Sequence, residues 1–159
     1  MNATSPNATE RLKQFLEKEH VRYTTLAHSP SFTAQEIAAD AHVSGKELAK
    51  TVMVDLDGQI AMAVLPADQK IALPELRQAA GVSKARFATE DEFKGLFPDC
   101  ETGAMPPFGN LYGMDVYVAA PLTEDEEIAF NAGSHTQLIR IAYRDYERVV
   151  HPTVAEFTF

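Results

Sequence analysis

Three short stretches of this sequence hold residues whose types and spacing could position a ligand. Lys50 directly precedes a run of β-type residues, and Gly103 opens the sequence Gly-Ala-Met-Pro-Pro-Phe-Gly. His135 follows Gly133 and Ser134 in a turn between two apolar runs. Proline restricts φ and lacks an N–H, whereas glycine reaches positive φ without steric cost, so the double-proline stretch is a loop of defined shape. Such a loop can direct backbone N–H and C=O groups at a ligand without an ordering cost on binding.

Each stretch also has a purely structural interpretation. Lys50 could be a solvated surface lysine, the loop from Gly103 a rigid connector, and His135 a hydrogen-bonded turn residue. The five histidines form no HxxxH pair, the single cysteine has no CxxC partner, and neither GxSxG nor GxxxxGK[ST] is present. Ser134 and His135 are adjacent, which is the wrong geometry for a hydrogen-bonded nucleophile pair. We therefore expect no metal site and no cofactor.

Local signals predict the helices that position these stretches. Residues 7–10 can form a capping box for a helix that runs to residue 20, and residues 33–36 can form a second box for a short helix. Residues 44–47 predict a further cap and a helical turn ending near Lys50. Helices are also predicted at residues 71–80 and after the capping box at residues 89–92. Asp145 is predicted to cap a last short helix.

Runs of β-type residues predict the strands. Asp57-Gly58 between residues 51–56 and 59–65 is a hairpin signal, and the nearly all-apolar second run predicts a strand buried on both faces. Other strands are predicted at residues 21–26, 115–119, 127–131 and 137–142. Helices and strands alternate irregularly. The predicted fold class is therefore α/β (mixed α+β): a single domain with a curved mixed β-sheet or barrel-like core flanked by helices.

Length and composition limit the class of protein. The 159 residues predict one domain over residues 7–159, after a disordered N-terminal lead at residues 1–6. The sequence has no run of about 18 apolar residues and no secretory signal pattern. The single Cys100 fits a reducing compartment. We therefore expect a cytoplasmic protein without a membrane partner.

The charge distribution is uneven. The net charge of −9 argues against broad, non-specific binding of nucleic acid. Eleven of the fourteen Lys and Arg residues nevertheless lie within the first 94 positions, which is compatible with a local basic face on the N-terminal part. We expect Arg11, Lys13 and Lys18 to contribute to such a face more than Arg144 or Arg148.

The three stretches, in their order and spacing, resemble the YbaK/EbsC family. The resemblance is carried by residues 45–54 (Gly-Lys-Glu-Leu-Ala-Lys-Thr-Val-Met-Val), 103–109 and 132–135 (Ala-Gly-Ser-His), and by an early segment at residues 27–33. It extends over residues 8–150. The family includes the editing domain inserted in bacterial prolyl-tRNA synthetases. No synthetase catalytic sequence accompanies the match, so the chain is similar to the free-standing members.

The resemblance implies the YbaK/aminoacyl-tRNA synthetase-associated domain fold and a trans-editing aminoacyl-tRNA deacylase, a hydrolase acting on ester bonds. The implied substrate is a mischarged tRNA, proline tRNA in particular, that carries a small amino acid of the alanine, serine or cysteine class. The tRNA acceptor end is the implied partner, and a synthetase partner and the oligomeric state are left open. The implied catalytic residues are Lys50, Gly103 and His135. The implied substrate-binding residues are His28, Phe32, Thr51, Ala104, Met105, Pro106, Gly133 and Ser134.

Two other functions remain open on the sequence alone. The domain could bind tRNA ends or a synthetase without catalysis, or it could hydrolyse another small ester or nucleotide. The chain also departs from the family pattern at Ala119, where many relatives carry an aspartate. No role of that carboxylate is therefore carried over to this protein.

Overall fold

A mixed β-sheet lies at the centre of the protein. The computed structural model describes residues 7–27, 44, 46–101 and 103–159. Within them the strands are β1 (Thr24–Ala27), β2 (Leu48–Leu56), β3 (Gln59–Pro66), β4 (Ala85–Phe87), β5 (Val116–Ala119), β6 (Glu127–Asn131), β7 (Gln137–Ala142) and β8 (Thr153–Ala155). The helices are α1 (Ala8–Lys18), α2 (Leu73–Ala80), α3 (Glu90–Phe93) and α4 (Tyr143–Val150). The predicted lead at residues 1–6 and the predicted helix from residue 33 lie outside the described residues.

The described strands form an open sheet in the order β1-β7-β6-β2-β3-β5-β8, with β4 beside the second half of β2. β2 runs parallel to β6, β3 to β5 and β5 to β8, and the remaining pairs are antiparallel. This confirms the predicted mixed α+β domain with a mixed sheet flanked by helices. Of the two predicted core shapes, the sheet takes the open one, because β1 and β8 are its edges in the described part of the chain.

The hairpin of β2 and β3 confirms the Asp-Gly prediction. Asp57 and Gly58 both have positive φ, 53° and 88°, as the two central residues of a type I′ turn require. Eight residue pairs follow, from Leu56 opposite Gln59 to Ala49 opposite Pro66. β3 is buried from its third residue onward, as its apolar run predicted.

Successive side chains of β2 point to opposite faces of the sheet. Ala49 and Met53 point to the inner face, where they belong to the largest apolar cluster. Val54 points to the outer face and packs with Leu76 of α2 in a second cluster. Leu48 lies on the outer face as well, in a smaller third cluster.

Helix α1 covers the inner face. The Asn7 side chain accepts the Glu10 N–H and begins the helix, which confirms the predicted start. Leu12 and Leu16, one turn apart, are both fully buried in the inner-face cluster. Burial of a leucine side chain contributes about 1.5–3 kcal/mol, so these two contacts hold α1 against the sheet.

The predicted helical turn ending near Lys50 is wrong. Ser44 does start a turn, since its carbonyl accepts the N–H groups of both Glu47 and Leu48 at 3.0 Å. From Leu48, however, the chain is strand β2 and pairs with Ala129 of β6. Pairing with a distant strand overrides the local cap signal. Lys50 therefore lies within a strand rather than at a helix end.

Two smaller expectations also differ from the structure. Asp145 lies in the first turn of α4 and forms an ion pair with Arg148 at 3.4 Å, whereas the N-cap position is Ala142. The three-residue strands β4 and β8 were not predicted. β4 pairs with a free edge of β2, and β8 pairs with a free edge of β5. Such pairing depends on the tertiary structure and cannot be predicted from a few neighbouring residues.

Candidate active site

The loop over residues 103–108 is anchored by aromatic packing. Phe108 is fully buried, and its ring centroid lies 5.2 Å from that of Phe130 and 5.4 Å from that of Tyr146, both in edge-on geometry. The Tyr146 hydroxyl donates a 2.6 Å hydrogen bond to the Pro107 carbonyl. Edge-on ring pairs and a buried hydroxyl bond both depend on one arrangement of the chain, so the loop has a fixed shape.

The turn over residues 133–135 is hydrogen-bonded to this loop. Gly133 donates its N–H to the Ala104 carbonyl at 2.9 Å, and Glu101 donates its N–H to the Gly133 carbonyl at 2.9 Å. The Glu101 carboxylate accepts the His135 backbone N–H at 2.9 Å, across 34 positions of sequence. The two stretches thus form one unit, which we call the loop–turn junction (residues 103–108 and 133–135).

Two glycines make this junction sterically feasible. Gly103 and Gly133 have φ of +86° and +94°, which L residues with a side chain rarely adopt. A Cβ at Gly133 would lie 2.6 Å from the Ala8 Cβ at the start of α1, so a larger residue would displace the helix. A Cβ at Gly103 would lie 3.5 Å from His135 Cε1. The structure therefore brings the predicted residues Gly103 and His135 together.

Most side chains of the loop are buried in the protein. Ala104 is fully buried, Met105 is 4% exposed within the inner-face cluster, and Pro106 is buried. These three predicted substrate-binding residues can reach a ligand only through their backbone. Ser134 is half-buried, and its Oγ accepts the Thr136 N–H at 3.1 Å.

Backbone donors remain available at the junction. The N–H groups of Gly103, Met105 and Ser134 donate to no residue within the described ranges. Backbone N–H groups are strong donors, and most are paired in folded proteins. Three such groups in one small region are therefore a candidate binding site for a carbonyl oxygen or an oxyanion.

Lys50 lies on the outer face of the sheet. It is two residues from Leu48 and opposite Leu65 of β3, both of which belong to outer-face clusters. Partial burial lowers the pKa of its amine, the negative charge of Asp68 opposes this shift, and the positive charge of Lys70 adds to it. The ion pairs among the described residues do not include Lys50. Its charge is thus partly desolvated without a direct partner.

Asn131, which was not predicted as a site residue, ends β6 on the side of the sheet where β6 pairs with the start of β2. The parallel pairs Leu48–Ala129 and Ala49–Phe130 place Asn131 next in register to Lys50, on the same outer face. Its Oδ1 atom is buried and accepts no hydrogen bond from the described residues. In the sequence, Asn131 is recognisable only as a polar residue that ends an otherwise apolar run. The strand register is needed to place it on the same face of the sheet as Lys50.

The remaining predicted residues are more dispersed. Thr51 points to the inner face opposite Val64 and is half-buried. His28 and Phe32 lie outside the described residues. No hydrogen bond or ion pair in the described ranges joins Lys50 to the loop–turn junction. Ala119, the departure from the family pattern, is fully buried in the outer-face cluster with Phe157, where a carboxylate would be poorly solvated.

The described residues contain no group of three or more His, Cys, Asp or Glu side chains that could hold a metal ion. None of their helices is long and apolar enough to cross a membrane.

Comparison with known proteins gives a consistent result. Residues 28–149 match the family of the aminoacyl-tRNA editing domain. The multifunctional Ser/Thr-tRNA deacylase ProXp-y of Escherichia coli (strain K12) is 28% identical over 154 residues, covering 93% of this chain and 91% of that protein. The prolyl-tRNA editing protein ProX of Acetoanaerobium sticklandii is 26% identical over 141 residues, covering 85% of each chain.

The solved structures agree on the fold. A crystal structure described as a candidate trans-editing enzyme for prolyl tRNA synthetase superposes with a TM-score of 0.81 at 20% identity and covers 99% of both chains. At that identity the likeness shows the fold alone. The sequence match confirms the predicted YbaK-type resemblance and the predicted enzyme class, a hydrolase of aminoacyl-tRNA esters. The chain belongs to the aminoacyl-tRNA editing domain family.

Proposed function

We propose that this protein is a trans-editing deacylase that hydrolyses the ester of a mischarged tRNA carrying a small amino acid. In this reaction, water forms a bond to the ester carbonyl carbon and the bond from that carbon to the ribose oxygen breaks. A proton passes from the water to the departing ribose oxygen, so the products are the free amino acid and uncharged tRNA. An aminoacyl ester is already activated, so positioning and electrostatic stabilisation can supply most of the acceleration.

Lys50 would hold the terminal adenosine or its phosphate. A partly desolvated ammonium that forms no ion pair with the described residues is suited to an anionic ligand, because little interaction energy is lost to a competing carboxylate. Asn131 would add a side-chain amide beside it on the same face. An amide can donate to and accept from a ribose or a base. The two side chains together thus fit the end of a nucleic acid better than an apolar ligand.

The loop–turn junction would orient the ester. The N–H groups of Gly103, Met105 and Ser134, which donate to no acceptor among the described residues, can stabilise the carbonyl oxygen as it gains negative charge. The neighbouring ribose hydroxyl can assist the attacking water, as the family implies. His135, whose ring lies beside Gly103, would line the amino-acid pocket rather than act as an obligatory base.

The amino acid is selected by size in this proposal. A pocket that discriminates by size separates side chains differing by one methylene only about 10–200-fold. Alanine, serine and cysteine therefore remain the candidates, with proline tRNA as the carrier. The name of the E. coli relative favours serine within this set and adds threonine to it.

The observation that carries the proposal is the joining of Gly103 and His135 in one junction with unpaired N–H donors. The test is a panel of purified tRNAs mischarged with alanine, serine, cysteine or threonine, with correctly charged prolyl-tRNA as the control. We expect release of at least one small amino acid and none of proline. Tight tRNA binding without release of any amino acid would instead identify a non-catalytic binding module. Hydrolysis of free aminoacyl esters at the same rate as charged tRNA would identify a small-ester hydrolase.

A further inference from the structure

A second cationic region lies away from Lys50, where strands β1 and β7 meet the start of α4. A groove of about 600 Å³ between the chain before β1, the end of β7 and the start of α4 is lined by Arg22, Arg140 and Arg144. Arg22 and Arg144 are exposed, and Arg140 is half-buried. The groove brings together residues near position 22 and residues after position 126, which are far apart in the sequence. The distribution of charge along the chain therefore does not predict this cluster of arginines.

These three arginines have no ion pair among the described residues. The Arg140 Nε atom is also buried and makes no hydrogen bond within the described part of the chain. By contrast, Arg11 already pairs with Asp99 at 2.7 Å and lies over the Tyr112 ring. Arg11 is therefore less available to bind a nucleic-acid phosphate than the predicted basic face on the N-terminal part requires.

The acidic residues of the groove do not neutralise it. Glu127 and Asp145 also line it, and Asp145 is already paired with Arg148 at 3.4 Å. Arg144 further lines a neighbouring groove together with Arg148. In a chain with a net charge of −9, this concentration of unpaired guanidinium groups is a local exception. Guanidinium groups bind phosphate oxygens in a bidentate manner, so the groove fits a phosphodiester chain.

The strand register relates the groove to the candidate active site. Arg140 pairs with Ala129 of β6, which pairs with Leu48 of β2, so Arg140 shares the outer face with Lys50. Neighbouring strands lie about 4.8 Å apart and residues rise about 3.3 Å along each, which separates the Lys50 and Arg140 Cα atoms by about 12 Å. One nucleic-acid strand advances by about 3.4 Å per nucleotide in a duplex, so this distance corresponds to a few nucleotides.

We propose that the groove of Arg22, Arg140 and Arg144 binds the sugar–phosphate backbone of the tRNA acceptor arm, a few nucleotides from the end held at Lys50. This inference rests on the proposed function for the identity of the nucleic acid. The groove supplies affinity and register, whereas the loop–turn junction supplies the chemistry. Because phosphate contacts carry no base information, the groove accepts acceptor arms of different sequence.

The test measures binding of uncharged, fluorescently labelled tRNA between about 50 and 200 mM salt. The variant is Arg22→Gln/Arg144→Gln, since both side chains are exposed and their loss should leave folding intact. The control is Lys84→Gln, which removes an exposed positive charge near the β2–β3 turn. We expect the double variant to bind roughly tenfold more weakly. We expect its log Kd against log salt slope to fall by about 0.7–0.9 for each lost contact, with the control unchanged.

The proposal would be overturned if the double variant bound tRNA with the same affinity and salt slope as the wild-type protein. It would also be overturned if the wild-type protein did not bind tRNA. Equal weakening by Lys84→Gln would also overturn it, because the effect would then be general charge. The proposed function fails separately. If the wild-type protein releases no amino acid from any mischarged tRNA while the groove variant still loses binding, the groove stands and the deacylase proposal falls.

Discussion

The loop–turn junction and the outer face around Lys50 differ in how firmly hydrogen bonds and packing fix their structure. At the junction, Gly133, Glu101 and Tyr146 each donate a hydrogen bond that fixes the backbone, and the side chains of Ala104, Met105 and Phe108 are buried. On the outer face, Lys50 has no ion pair and Asn131 Oδ1 has no donor within the described residues.

This difference separates two kinds of contribution. The hydrogen bonds and buried side chains that fix the junction backbone stabilise the fold, so their disruption should lower stability and activity together. A region with desolvated but unpaired polar groups costs stability, and it persists where a ligand completes the pairing. Substitutions in the two regions should therefore give different ratios of activity loss to stability loss.

The largest effect is expected for Lys50→Ala. If Lys50 holds the tRNA end, deacylation should fall by about 10²–10³, or roughly 3–4 kcal/mol. The free energy of unfolding should change by no more than about 0.5 kcal/mol, because the amine forms no ion pair with the described residues. Single-turnover deacylation and urea unfolding measure the two quantities, and Lys84→Ala is the matched control. A folded Lys50→Ala protein with the wild-type rate would remove Lys50 from the site.

Gly103→Ala should lower both the deacylation rate and the free energy of unfolding, because Gly103 lies in the junction. At φ +86° a side chain costs about 1–2 kcal/mol of stability, and the added Cβ would touch the His135 ring. We expect turnover to fall about tenfold as the backbone donors shift, which corresponds to about 1.4 kcal/mol. Gly81→Ala is the control, since that residue also has positive φ, +68°, but lies at the end of α2 with open space around it. Equal activity loss in both variants would assign the effect to general strain.

Tyr146→Phe tests whether the junction acts as one unit. The substitution leaves the Pro107 carbonyl without its 2.6 Å donor, and an unsatisfied buried group costs about 1–3 kcal/mol. The ring packing on Phe108 is retained, so stability should fall by about 1–2 kcal/mol with a smaller, parallel loss of activity. Urea unfolding followed by the deacylation assay would show this. A stability loss with unchanged activity would mean that the Pro107 end of the loop does not position the site.

The sequence predicted those turns, loops and strands that depend on neighbouring residues in the chain. Asp57-Gly58 predicted the hairpin, because its turn type needs positive φ at adjacent residues. The glycines and prolines of residues 103–109 predicted a shaped loop, and Gly103 does adopt positive φ. The apolar runs of β6 and β7 predicted both strands with their observed ends.

The sequence did not predict what depends on pairing between distant segments. The local Ser44 cap signal predicts a helix end near Lys50, whereas Ala129, the β6 partner of Leu48, lies 81 positions farther along the chain than Leu48. Asn131 became visible as a neighbour of Lys50 only through that same parallel register. The Arg22–Arg140 proximity likewise requires the β1–β7 pairing that brings Thr24 opposite Arg140. Local patterns thus specify elements, whereas the face on which a side chain lies follows from register.

The smallest effect concerns Asp125, a half-buried residue just before β6, at the opposite end of that strand from Asn131. Its Oδ2 atom has no hydrogen-bond donor among the described residues, and burial raises the carboxyl pKa above its ordinary value near 3.8, with repulsion from Glu47 adding to the shift. The folded state therefore binds the proton more tightly than the unfolded state. The associated stability is fully present below pH 3.8 and is lost as the pH rises through the raised pKa.

At neutral pH, Asp125→Asn should accordingly stabilise the protein by less than about 1 kcal/mol, because the neutral amide avoids burying a charge. The gain should shrink as the pH falls toward 3.8, where the wild-type carboxyl is itself protonated. Urea unfolding at pH 4, 5.5 and 7 measures the trend, and Glu156→Gln corrects for the loss of one exposed negative charge. A gain that grows toward acid pH would show that the Asp125 carboxylate is stabilised in the folded protein. The strand would then carry its unpaired polar group only at the Asn131 end, beside Lys50.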